Sequence, residues 1–184
     1  MRNELETLYR FYCEAGRPSS AHLPTLRRYA SRCSTCVELG VKHGASATAL
    51  LLGCNGDVWG FDIAMTPEAR RLGELAGNRW HYVIGDSRTA DVPDCDLMFI
   101  DSMHNYEHVR AELEAHADKV SKYLVFHDTI TFGSFGAVDE SGRTVEGVLG
   151  IRPAIDELMM RDPTWFIERH DTHSHGLLVL ERRT

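Results

Sequence analysis

Five apolar runs separated by helix-like segments predict an α/β fold: a mostly parallel sheet with helices on both faces. Two observations strengthen that reading. The runs are apolar almost throughout, as strands buried on both sides are. Four of the five also end in an aspartate, so polar groups are delivered to what the topology would make a single sheet edge. With 184 residues the chain is long enough for one domain with a substantial core.

The elements follow in order. Residues 3–15 and 22–32 read as helices joined by the turn-forming GRPSS. TCVELG (35–40) is the first strand, followed by a helix from about Ala45 to Leu52. GDVWGFDI (56–63) is the second strand. Thr66-Pro67 opens the next helix, with Thr66 as N-cap and Pro67 at the first helical position. RWHYVIG (79–85) and CDLMFID (95–101) are the third and fourth strands. Only Asp86 to Asp94 joins them, too little for a helical crossover, so a bare loop or a single turn is expected. A helix from Tyr106 to about Val120, with Asn105 as N-cap, leads to YLVFHD (123–128), the fifth strand. RPAIDELMM (152–160) is helical. The remainder forms a terminal hairpin whose last strand is antiparallel and brings the sheet to seven strands. HDTHSH (170–175) reads as its solvated turn. Residues 131–150, TFGSFGAVDESGRTVEGVLG, break the alternation, and their position after His127-Asp128 suggests a lid loop without secondary structure. The parts are then helices 1–33, a core 34–130, the loop 131–150, and a helix with hairpin 151–184.

Composition narrows the function. A net charge of −7 disfavours a nucleic-acid partner, which normally requires a basic face. No apolar run approaches the roughly 20 residues of a membrane helix, and the N-terminal stretch lacks an apolar signal region, so a cytoplasmic location is expected. The five cysteines have no scaffold spacing, and Cys33-x-x-Cys36 precedes a strand instead of opening a helix. They read as reduced and structural. Trp59, Trp80 and Trp165 lie in strands and read as core. LYRFY in the first helix is a candidate face for self-association.

Ligands of open parallel sheets bind beyond the carboxyl ends of the strands. This chain places Glu38, Gly40 and Gly44 after the first strand, Asp62 after the second, Asp86 and Ser87 after the third, Asp101 after the fourth, and His127 and Asp128 at the end of the fifth. Gly40-x-x-x-Gly44 is a strand-to-helix turn where backbone can approach a ligand. With Lys at position 42 it is neither a dinucleotide fingerprint nor a phosphate loop. Asp62, about twenty residues on, stands where an acid can accept hydrogen bonds from ribose hydroxyls. The set points to an adenosine-containing ligand without a pyrophosphate. His104 and His108 have the i, i+4 spacing of a zinc pair but lack the acid of an HExxH motif.

VELGVKHGASA, GFDI, YVIGDS, LMFIDSMHNYEHVRAEL and YLVFHDT together resemble a class I S-adenosylmethionine-dependent methyltransferase, over about residues 34 to 130. The likeness is to the small branch of sugar O-methyltransferases and cephalosporin-hydroxylase-like proteins. It implies a three-layer Rossmann-like sandwich. It implies that Glu38, Gly40, Gly44, Asp62, Asp86 and Ser87 bind S-adenosylmethionine, and that Asp101 and Asp128 hold a divalent metal such as Mg²⁺. His104 or His127 would serve as base and a small-molecule hydroxyl as acceptor, with Asp101 in the catalytic set. Ser102-Met103 replaces the usual glycine-containing pair. Two other functions fit the same residues: a metal-dependent enzyme of this fold with another reaction, and a catalytically idle cofactor-binding protein.

Overall fold

The computed structural model describes residues 2–139 and 141–183. β1 (Thr35–Leu39), β2 (Asp57–Asp62), β3 (Trp80–Ile84), β4 (Cys95–Ile100) and β5 (Val120–His127) run parallel in one sheet. Around them are α1 (Arg2–Glu14), α2 (Leu23–Ala30), α3 (Ala45–Gly53), α4 (Pro67–Ala76) and α5 (Tyr106–His116). Beyond β5 come a small hairpin, β6 (Phe135–Ala137) and β7 (Thr144–Leu149), then α6 (Arg152–Arg161), β8 (Trp165–Asp171) and β9 (Leu177–Arg182). The large sheet has seven strands in the order β3-β2-β1-β4-β5-β9-β8, and β9 is antiparallel to both its neighbours. The order reverses between β1 and β4, which opens a crevice above their C-terminal ends.

Alternating side chains feed two cores, as the pleat requires. Leu97 and Phe99 of β4, Tyr123 and Val125 of β5, and Leu177 and Val179 of β9 pack with α1 to α4. Met98 and Ile100, Leu124 and Phe126, and Leu178 and Leu180 pack with α5 and α6. α3 is buried from Ser46 to Leu52 because α1 and α2 cover the side that faces away from the sheet; its sequence accordingly shows no polar face. The expected caps are present: the side chains of Thr66 and Asn105 accept from the amides of Ala69 and His108. Residues 86–94 form turns and a bare loop. All five cysteines are free. Trp80 and Trp165 are buried, whereas Trp59 is half-buried and stacks on His81 with ring centroids 4.3 Å apart. Within LYRFY, Tyr9 and Tyr12 are buried in the chain's own core and Phe11 is exposed.

Two expectations are corrected. Residues 131–150 are not free of secondary structure, since they contain the β6–β7 hairpin. Its hold on the body is local: the Ala137 amide donates to the His104 carbonyl (2.8 Å), and Asn105 Nδ2 donates to the Ala137 carbonyl (3.1 Å). The turn 170–175 is not simply solvated. The amides of Ile130 and Thr131 donate to the His175 carbonyl, and His22 Nε2 lies 3.0 Å from the Ser174 carbonyl. The turn is thereby clamped over the end of β5. Among the described residues no helix is long and apolar enough to cross a membrane.

Candidate active site

The glycine turn after β1 is held from three sides. Asp62 Oδ2 accepts from the amides of Val41 (2.9 Å) and Lys42 (2.8 Å). Tyr12 of α1 donates its hydroxyl to the His43 carbonyl (2.7 Å), and Thr66 donates to the Lys42 carbonyl (2.8 Å). Lys42 adopts a left-handed conformation (φ 47°), so the loop keeps its path without a third glycine. Gly40 (φ 89°) lies directly against the Asp101–Ser102 backbone; a Cβ there would stand 2.4 Å from the Asp101 carbonyl oxygen. Asp62 Oδ1 accepts from the Ile63 amide (2.7 Å), and a carboxylate oxygen has capacity for a second donor. Ile63 and Ile84, at the ends of β2 and β3, expose 64% and 57% of their surface, more than a buried-strand pattern leads one to expect.

Glu38 is fully buried on β1. Ser46 of α3 donates to its Oε1, while its Oε2 has no hydrogen-bond partner among the described residues. Burial pushes its carboxyl well above the usual range, with the charges of Asp101 and Asp62 adding to the effect. The sign follows from the raised value. The neutral acid is the form the fold favours, so this contribution is complete below the ordinary carboxylate range and is lost as pH rises through the folded-state pKa. Glu38→Gln keeps an acceptor for Ser46 and removes a group that must take up a proton on folding above the ordinary carboxylate range. It is expected to melt higher than wild type, by a margin that widens between pH 5 and pH 8 in thermal denaturation.

A second group gathers at the ends of β4 and β5. His104 Nε2 lies 3.0 Å from Asp101 Oδ1 and 3.1 Å from Asp128 Oδ2. His127 Nδ1 lies 3.3 Å from Asp101 Oδ1 and 3.4 Å from Asp128 Oδ1. His175, from the terminal turn, lies 3.0 Å from Asp128 Oδ1, and the His22 ring stands at an edge to that of His127. Phe132 stacks on His104 (4.9 Å). Burial by itself would lower the two central imidazoles, but the carboxylates outweigh it: His104 is raised, and His127 is raised to about 10. Burial would likewise raise Asp101, yet His127 and His104 hold it well below the usual carboxylate range. Asp128 itself sits at φ 58°, a conformation a non-glycine residue keeps only where its surroundings impose it. Asp101, His104 and Asp128 each offer one ligand atom, all within 4.8 Å of one another. Two carboxylates and an imidazole suit a hard or borderline divalent cation.

The structure therefore brings Asp101, His104, His127 and Asp128 together, and places Glu38, Gly40, Gly44 and Asp62 around the glycine turn. Asp86 and Ser87 fall differently. Asp86 is paired within its own loop with Arg88 (2.6 Å), and those hydrogen bonds lower its pKa to about 2. Ser87 is buried and turns its hydroxyl inward to Glu112 Oε1 (2.5 Å), so its side chain is engaged within the protein. His108 does not join His104 as a ligand pair; it contacts Ser87 and Glu112. His22, His175 and Tyr12 reach the site from distant parts of the sequence, and no local motif marks them.

A sequence profile described as a methyltransferase domain matches residues 37–129. The chain belongs to the methyltransferase-domain family. It is a class I S-adenosylmethionine-dependent methyltransferase, and residues 37–129 run from β1 through the end of β5, the part that carries both groups of side chains. No curated protein sequence matches the methyltransferase significantly. Its fold is shared with solved structures. One is the 1,6-didemethyltoxoflavin N1-methyltransferase of Burkholderia thailandensis with 1,6-didemethyltoxoflavin and S-adenosylhomocysteine bound. That match has 15% identity and a TM-score of 0.65, and covers 100% of this chain and 87% of the other. A methyltransferase of Podospora anserina bound to S-adenosylhomocysteine aligns with 17% identity and a TM-score of 0.59, over 90% of this chain and 78% of the other. An O-methyltransferase family protein of Burkholderia thailandensis aligns with 16% identity and a TM-score of 0.66, over 98% of this chain and 59% of the other.

Proposed function

We propose that the enzyme methylates a hydroxyl oxygen of a small molecule with the help of a divalent cation, Mg²⁺ or a similar ion, held by Asp101 and Asp128. The observation that carries this reading is the convergence of the Asp101 and Asp128 carboxylates with the His104 imidazole, atoms within 4.8 Å of one another, beside the glycine turn, at the sheet edge where the strand order reverses. When bound, S-adenosylmethionine supplies an activated methyl on its sulfonium, and the cation would acidify the acceptor hydroxyl.

The residues do the remaining work. Asp62 accepts from ribose hydroxyls through Oδ1 while its Oδ2 holds the turn. Gly40 and Gly44 keep backbone, not side chains, against the cofactor. His104, whose side chain is 20% exposed, stands nearer the opening than His127 at 5%, so it is the better placed of the two to take the acceptor proton. With the carboxylate charge engaged by a cation, the pull that keeps His104 protonated weakens. His127 holds positive charge between the two aspartates. The β6–β7 hairpin, pinned at His104 and Asn105 and carrying exposed Phe135 and Leu149, lies where an acceptor would be covered. The acidic surface and the small polar site favour a small-molecule partner over nucleic acid.

Calorimetric titration with S-adenosylhomocysteine, with and without Mg²⁺, tests the reading. Losing a charged acceptor for ribose costs about 1.5–3 kcal/mol, or roughly 10- to 100-fold in affinity, so Asp62→Ala should bind that much more weakly than wild type. A binding isotherm for Mg²⁺ that disappears in Asp128→Asn supports the cation. Binding and turnover indifferent to chelator would overturn it.

A further inference from the structure

α5 faces the sheet with an unusual pair. Its buried positions are Val109, Glu112, Leu113 and His116, and two of those four are polar. Glu112 is fully buried, and a buried carboxylate costs several kcal/mol unless donors surround it. Donors do surround it, and they come from both strand-end loops. Ser87, after β3, donates to Oε1 (2.5 Å), and His108 Nε2 stands 3.2 Å from the same oxygen. Ser102, after β4, donates to Oε2 (2.9 Å). One turn further on, His116 Nε2 lies 2.7 Å from the Ser87 carbonyl oxygen, so Ser87 is gripped at both its hydroxyl and its backbone.

What these serines support decides the meaning. Ser87 follows Asp86 in the loop on the cofactor side. Ser102 follows Asp101, and its Cα lies 2.8 Å from where a Cβ on Gly40 would stand, so the Ser102 turn is the floor under the glycine turn. A single carboxylate in the layer beneath thus fixes two walls of the crevice against each other. Helix packing alone would be served as well by leucine. We infer that Glu112 is a positioning residue for the cofactor: by holding Ser87 and Ser102 from α5, it sets the shape of the S-adenosylmethionine site without touching the ligand. The inference rests on the cofactor lying along the glycine turn, as proposed above.

Glu112→Leu removes the acceptor that Ser87 and Ser102 share and leaves buried donors unpaired, at about 1–3 kcal/mol for each such group, so binding and stability are read separately. Titration with S-adenosylhomocysteine and thermal melting, run on the full chain, supply the two readouts. The expected result for Glu112→Leu is a lower melting temperature, with affinity reduced about tenfold in protein that is still fully folded at the temperature of the titration. Ser102→Ala should weaken binding in the wild-type background and have no further effect on top of Glu112→Leu, since its influence passes through Glu112. Glu112→Gln, which keeps one oxygen acceptor, should recover part of the affinity. Affinity within twofold of wild type in folded Glu112→Leu would overturn the inference and leave the cofactor site standing. An affinity loss that only follows a loss of melting temperature across the three variants would overturn it too, as plain destabilisation. Wild type that binds no S-adenosylhomocysteine would remove the cofactor placement itself, and the inference with it.

Discussion

Gly40→Ala is expected to lower the melting temperature by roughly 10 °C and to cut affinity for S-adenosylhomocysteine at least 100-fold. Two costs add. The residue sits at φ 89°, where an L side chain is strained by about 1–3 kcal/mol. The added carbon would also stand 2.4, 2.7 and 2.8 Å from the oxygen and carbon of the Asp101 carbonyl and the Cα of Ser102. All three are backbone atoms of the turn that leaves β4, not the end of a side chain that can rotate away, and overpacking adds about 1–3 kcal/mol more. A domain of this size loses about 2–4 °C per kcal/mol. Gly44→Ala is the control. Its φ is also positive (71°), but the obstructing atom is the Leu72 Cδ1 at 2.7 Å, the end of a side chain that can rotate. It should cost less than half as much in melting temperature. Equal losses in the two variants, measured by thermal denaturation alongside calorimetry, would show that the contact with the β4 end is not what demands glycine at position 40.

This contact also shows why some of the site could be read from the sequence and some could not. Strands β1 to β5 are legible because each is a mainly apolar run closed at or just after its end by a glycine or a polar residue, a pattern local to six or eight residues. Gly40, Gly44 and Asp62 were legible for the same reason: they follow their strands directly. Lys42 was legible only as a departure from a glycine pattern; its left-handed backbone emerges from the bonds to Asp62 and Thr66, which lie twenty or more residues away. The β6–β7 hairpin left no apolar alternation in residues 131–150, because its strands are held by backbone bonds to the His104 turn and not by a core. Ser87 follows β3 as the sequence suggests, yet its side chain turns inward to Glu112, a residue of α5 that no local motif marks. His22 and His175 come from the two ends of the chain. The turn 170–175 looked polar and free, and only the fold shows that its carbonyls and imidazole close over Asp128.

The paired aspartates carry the second large effect. Asp101→Asn is expected to reduce production of S-adenosylhomocysteine under saturating cofactor and acceptor by roughly 10²- to 10³-fold, the usual range for removing one electrostatic contact to a developing charge. The substitution also strips a carboxylate from beside His127, whose imidazole is held protonated up to about 10 by Asp101 and Asp128 at 3.3 and 3.4 Å. Removing one partner of a buried pair costs about 3–5 kcal/mol, because the remaining charge is left uncompensated. Lost activity in Asp101→Asn alone would therefore be ambiguous between chemistry and folding. The double variant Asp101→Asn/His127→Gln resolves it: the cation that Asp101 compensated is gone, so most of the melting temperature should return. If Asp101 serves the reaction, turnover does not return with it. Recovery of both stability and turnover in the double variant would mean that Asp101 only neutralises His127, and the catalytic burden would then fall on Asp128 and His104.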